Sequence, residues 1–183
     1  MSADNYFITD QNAVYFLTFT VIDWIDIFTR KEYKVVIADS LNYCIENKGL
    51  ELFAWCLMSN HLHLVCQAKE HFRISDIIRD FKKFTSKTIL KMIEKEPESR
   101  KEWMLYRFRY AGKFDNRIKI YKFWQETNHA ILLDNTRLIE QRIDYTHENP
   151  VRAMIVSRAE DYLYSSARDY AGEKGFVNIQ TTL

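Results

Sequence analysis

The stretch LELFAWCLMSNHLHLVCQ, Leu50 to Gln67, reads as two short apolar runs, Leu50–Leu57 and His61–Gln67, separated by Met58, Ser59 and Asn60. Ser59 and Asn60 are turn formers, so the spacing predicts a β-hairpin. Its second arm carries two histidines one residue apart. Side chains at i and i+2 of a strand leave the same face of the sheet, so His61 and His63 emerge together. Two imidazoles on one face can hold one metal ion. They can equally be ordinary solvated or hydrogen-bonded strand residues, and the pair alone does not choose.

Working outward, AVYFLTFTVI (Ala13–Ile22) is rich in aromatic and β-branched residues and predicts a buried strand. In Lys31–Gly49 the residues Tyr33, Val36, Ala38, Leu41, Cys44 and Ile45 recur at helical spacing, with Gly49 where a helix stop belongs. Beyond the hairpin, Ile74 to Met92 carries one apolar stripe: Ile74, Ile77, Ile78, Phe81, Phe84, Ile89 and Met92. Glu98 to Phe114 mixes aromatics with basic residues and fits neither helix nor loop clearly. Ile118–Trp124 alternates as a strand does, and His129–Leu133 reads as a partner strand or a connector. A helix TRLIEQRIDYTHEN follows, capped by Asp134 or Asn135 and stopped by Pro150. Val151–Tyr170 has enough apolar residues to pack. The expectation is one domain over residues 1–171, of α+β class, with 172–183 a flexible tail.

Composition agrees with a single core: 183 residues, 47% hydrophobic, with only four glycines and two prolines. The N-terminus resembles no signal peptide and no stretch reaches the length of a membrane span, so the reading is a soluble, cytoplasmic protein with no membrane partner. Cys44, Cys56 and Cys66 match neither a zinc pattern nor a disulfide framework and read as buried free thiols. The net charge of +1 conceals an uneven distribution: Arg79 to Lys122 holds fourteen Lys or Arg against six Asp or Glu. A basic middle in a neutral protein points to a polyanion. Arg79, Lys83, Lys87 and Lys91 recur every fourth residue with Lys82 beside them. On its own such a stripe is an ordinary solvated helix face. Trp103, Tyr106, Phe108 and Tyr110 interleaved with Arg107 and Arg109 add what unpaired bases need for stacking and phosphate contact, although some of these rings must be core. Phe123 and Trp124 are assigned to packing.

On the late helix, Tyr145 and Asn149 are i and i+4 and so share a face. If that face looks at the strand bearing His61 and His63, the site holds two imidazoles, an amide and a phenol. Those are parts for metal-assisted attack on a phosphodiester with a tyrosine nucleophile. His147, two residues on, projects from a different face and is a weak candidate for a proton shuttle.

The ordered stretches SNHLHLV and IDYTHENPVRAMIV, with a basic helix between them, resemble the single-tyrosine HUH (IS200-like) transposases, and within these the REP-associated tyrosine transposases. FWQETNH (Phe123–His129) and DYLYSSARDY resemble that branch too. The resemblance implies a ferredoxin-like antiparallel sheet with helices on one side. It implies His61 and His63 as ligands of a divalent ion, Mg²⁺ or Mn²⁺. It implies Tyr145 as the nucleophile that leaves a 5′-phosphotyrosine and a free 3′-hydroxyl. Asn149 falls where relatives complete the metal site, often with the longer glutamine. The implied partner is single-stranded DNA with hairpins, REP-like or at element ends, met by a nucleoid-associated monomer or homodimer. Two other readings stay open: a domesticated protein that binds hairpins without cutting, and a phosphodiesterase in which water attacks.

Overall fold

The computed structural model describes residues 7–115 and 120–181. Strand β1 (Tyr15–Thr20) leads through a 3-10 turn at Ile22–Trp24 to helix α1 (Lys31–Asn47), the hairpin β2 (Leu50–Leu57) and β3 (His61–Ala68), and α2 (Ile74–Lys95). Helix α3 (Lys101–Gly112), the two-residue β4 (Ile131–Leu132), α4 (Thr136–Arg152) and a short α5 (Ala167–Tyr170) follow. The strands form one sheet in the order β2-β3-β1-β4, every neighbouring pair antiparallel. This is the ferredoxin-like α+β arrangement.

The alternation of each strand decides what covers each face. Tyr15, Leu17 and Phe19 of β1 and Leu62, Leu64 and Cys66 of β3 enter the main core, where α1 and α2 pack. Phe16 and Val65 point the other way, joined by Phe53 and Ala54 beside an irregularity in the β2 register. Ile139 and Ile143 of α4 cover them. Helices therefore sit on both faces, not on one. Each of these two isoleucines contributes roughly 1.5–3 kcal/mol by leaving water, which is what holds α4 against the sheet.

Helix α1 ends where Gly49 takes φ +71°, and a Cβ there would meet the Phe72 ring at 2.4 Å. Only glycine satisfies both conditions. Residues 101–112, ambiguous in sequence, are helical because Met104 and Phe108 are wholly buried while Trp103, Tyr106 and Tyr110 remain exposed. Phe108 thus pins α3 to the core through the Phe123 ring, 5.2 Å away. Phe108→Ala should destabilise the protein by about 3–5 kcal/mol, read from the midpoint of denaturant unfolding.

Three further expectations change, while the cap of α4 proves to be one of the two residues expected. The strand expected over 118–124 lies partly outside the described residues, and within 120–124 only Trp124 pairs, in a bridge to Val21. Pro150 does not stop α4, which continues to Arg152 with the proline buried inside it. In the last turn a missing N–H removes only one bond of the ladder, and Ala153 still donates to the Asn149 carbonyl at 3.0 Å. The cap is Asn135, whose side chain accepts from Leu138 N–H at 3.0 Å. The segment expected to be loose is tied down: Val177 is buried in the main core and Gln180 N–H donates to the Leu52 carbonyl at 2.9 Å. The three cysteines are free and buried, as expected.

Candidate metal and nucleophile site

The β1–β3 register sets Thr18 opposite His63 and Thr20 opposite His61. These residues lie on the face that α4 covers. The two imidazole rings are 4.7 Å apart. Each has its Nδ1 engaged: His61 with Asn60 Oδ1 at 2.6 Å, His63 with Thr18 Oγ1 at 2.9 Å. Such partners fix ring orientation and leave Nε2 as the outward ligating atom. His63 Nε2 is buried and has no partner, a cost that a native fold rarely bears without a use for the atom. Burial pushes His61 down to about 4. Burial first, and then the neighbouring His61, push His63 down to about 3. Both rings are therefore neutral at ordinary pH, the form that ligates metals.

Helix α4 brings the remaining groups. The Tyr145 ring stands 5.6 Å from the His63 ring and 5.7 Å from Phe16, edge-on to both. Asn149 Nδ2 donates to the Tyr145 carbonyl at 2.7 Å, which fixes the amide one turn on. The Asn149 side chain favours the charged form of His63, yet the approach falls short of a hydrogen bond, since Nε2 has no partner. The sequence-derived quartet His61, His63, Tyr145 and Asn149 is thus brought together within one chain. The donors fit a divalent ion: two oriented neutral imidazoles, one with an orphaned nitrogen, and an amide beside them. Among the described residues no cluster of three His, Cys, Asp or Glu offers an alternative.

Two arginines on the same helix escaped the sequence reading. The Arg142 guanidinium lies 5.0 Å from the Phe16 ring centroid and 5.8 Å from that of Tyr145. Arg152 lies 5.3 Å from the Tyr145 ring. At about 100° per residue, positions 142, 145, 149 and 152 fall in one narrow stripe, a spacing that could have flagged them. His147 points away: its Nε2 meets Ser166 Oγ at 2.8 Å and its ring packs on Tyr170, tying α4 to the C-terminal segment.

The basic residues read as DNA contacts are scattered. Lys83, Lys87 and Lys91 are exposed along α2, with the sheet between them and the imidazoles. Arg79 is paired with Asp76 at 2.7 Å and Asp80 at 3.0 Å. Lys82, beside the stripe, turns inward: its Nζ donates to the Gln125 carbonyl and Asn128 Oδ1, both at 2.8 Å, and lies over the Phe19 ring. Burial pushes it down to about 8, and it holds the loop beside β1. Arg107 pairs with Asp23 at 2.7 Å, and Arg109 donates to the Tyr121 hydroxyl at 3.1 Å. Among the described residues no helix is long and apolar enough to cross a membrane.

A structure of a REP-associated tyrosine transposase bound to a REP hairpin shares this fold at 18% identity, with a TM-score of 0.63 over 100% of this chain and 94% of that one. A putative transposase from Deinococcus radiodurans R1 aligns at 14% identity and TM-score 0.40, over 61% of this chain and 97% of that one. A comparison with curated protein sequences finds no match. The family model described as "Transposase IS200 like" matches residues 11–113, from before β1 to the end of α3 and so including the histidine pair. Since that span is more than half of the 183 residues, the chain belongs to the IS200-like transposase family.

Proposed function

We propose that this chain is a metal-dependent strand transferase that cuts and rejoins single-stranded, hairpin-bearing DNA through a 5′-phosphotyrosine at Tyr145. The observation that carries the reading is the approach of the Tyr145 ring to His63, 5.6 Å within one chain, beside a buried imidazole nitrogen with no partner. His61, His63 and the Asn149 amide would hold Mn²⁺ or Mg²⁺. When bound, such an ion draws charge off a phosphodiester and eases ionisation of a nearby hydroxyl.

The chain's own residues account for the rest. Tyr145 Oη forms a bond to phosphorus as the bond from phosphorus to the 3′ oxygen breaks. The phenol gives up its proton to solvent, and the departing 3′ oxygen takes one from solvent. The ester energy stays in the phosphotyrosine, so a DNA 3′-hydroxyl can reverse the step without a nucleotide cofactor. A phosphate reaching the phenol meets the cations of Arg142 and Arg152, whose planar forks suit it. The hairpin bound by the REP-associated structure of the same fold supports a hairpin substrate here. A quartet complete in one chain supports a monomer as the active unit.

The test is direct. A labelled hairpin oligonucleotide with a single-stranded flank, incubated with the protein and Mn²⁺, should yield a protein–DNA adduct that survives denaturation and is absent with a chelator. Hairpin binding without adduct would replace the proposal with a non-cutting binder. The orienting partner of His63 offers a second measurement. Thr18→Val keeps the shape of the side chain and removes the bond to Nδ1, so Mn²⁺ affinity by calorimetry should fall about 10–100-fold.

A further inference from the structure

Trp24 lies next to the candidate metal site and takes no part in the bond-making and bond-breaking proposed there. It is 60% exposed, while its ring stands 6.2 Å from the His61 ring, edge to face. Burial does not explain its placement, since two other tryptophans, Trp55 and Trp124, are in the core. The backbone beneath it is unusual: Asp23 and Trp24 take φ +53° and +54° in succession, a region that non-glycine residues seldom enter.

That conformation is held from three sides. Arg107 of α3 pairs with Asp23 at 2.7 Å. Asn60 Nδ2 donates to the Trp24 carbonyl at 3.2 Å, while the Oδ1 of the same residue meets His61 Nδ1. Trp24 N–H donates to the Val21 carbonyl at 3.1 Å. Asn60 therefore couples the position of the indole to the orientation of the imidazole. Nearby, α3 presents Tyr106 and Tyr110, exposed and stacked on each other at 6.2 Å, interleaved with Arg107 and Arg109.

We propose that Trp24 is a positioning residue: its exposed indole stacks on an unpaired base next to the cleaved phosphate and so sets that phosphate beside His61. An open, wedged aromatic ring next to the candidate site is what an unpaired base stacks on, because every base has a π-face. The inference rests on the strand-transfer reading for what lies beside His61, but the stacking itself is tested without chemistry.

The experiment uses the full chain in a chelator, with a hairpin oligonucleotide bearing a ten-nucleotide single-stranded flank, and with copies in which each flank nucleotide in turn is abasic. One abasic position should raise Kd about 5- to 140-fold, the range expected for one stacked base. Trp24→Ala should raise Kd on the intact oligonucleotide by a similar factor and then show no further loss at that abasic position, while Trp24→Phe keeps most of the affinity. Additive losses, a Trp24→Ala Kd within twofold of the parent, or no sensitive flank position overturn the inference. The parent scan decides the last of these even if Trp24→Ala folds poorly. If the double-substitution cycle holds but no adduct forms with Mn²⁺, stacking stands and strand transfer falls. If no variant binds the flanked hairpin, both fall.

Discussion

Tyr145→Phe should bind a flanked hairpin with an affinity within about threefold of the parent and form no denaturation-resistant adduct. The substitution deletes one oxygen and keeps the ring. The contacts that seat the ring are edge-on packing against Phe16 and His63 and the arginines over its faces, and phenylalanine can make all of them. Binding and stability should therefore survive. The chemistry cannot, because a phenyl ring has no nucleophile and no other hydroxyl on the same stripe of α4 replaces it. Gel analysis of protein-linked label gives the answer: adduct from the parent, none from the variant. Strand cleavage that persists in Tyr145→Phe without an adduct would mean that water attacks, and the nucleophile assignment would fall.

The family match ends at residue 113, short of α4. What connects Tyr145 to the histidines is therefore the packing of α4, and that packing follows from two isoleucines. Ile139 and Ile143 seat the helix on Phe16, Ala54 and Val65. Given that seating, residue 145 comes to Phe16 and His63, and Asn149 follows one turn along the same stripe. Pro150 lies two residues before the end of α4, where the backbone bond it removes does not cost the helix its Asn149.

How much of this is legible in sequence depends on whether a residue's role is fixed by its own element or by another one. Helices α1 and α2 announce themselves by period, since one face of each is buried against a continuous core, and the hairpin announces itself by two apolar runs on either side of Ser59 and Asn60, since its strands are covered on both faces. So does the joint projection of His61 and His63, a property of any strand. Helix α3 does not, because its aromatics lie on both sides: Phe108 is buried while Tyr106 and Tyr110 are exposed, and hydrophobicity does not separate them. The basic stripe of α2 is regular in sequence, yet nothing local shows that Lys82 beside it is drawn inward by Gln125 and Asn128, some forty residues on. Thr18, Asn60 and Trp24 acquire their positions only when β1, the hairpin turn and the loop after β1 converge. No local spacing marks them.

His63→Ala should abolish measurable Mn²⁺ binding and lower adduct formation at least 100-fold, more than loss of its orienting threonine. Outer partners of ligating histidines are worth about 10–100-fold, and removing the ligand itself takes the donor as well as its orientation. Thermal unfolding separates this from general damage. A ligand at one hundred times its Kd stabilises the native state by about 2.7 kcal/mol. For a chain of this length that raises Tm by roughly 5–11 °C, at about 2–4 °C per kcal/mol. The parent should show that rise with Mn²⁺, and His63→Ala should show none relative to its own metal-free Tm. The loss of the Thr18 bond and of packing on Phe16 and Tyr145 in that variant is offset in part, because in the apo state His63 Nε2 is already buried without a partner. Its removal relieves an unsatisfied polar atom even as it opens a cavity. A parent protein whose Tm does not move with Mn²⁺ or Mg²⁺ would refute the metal site whatever the variant does.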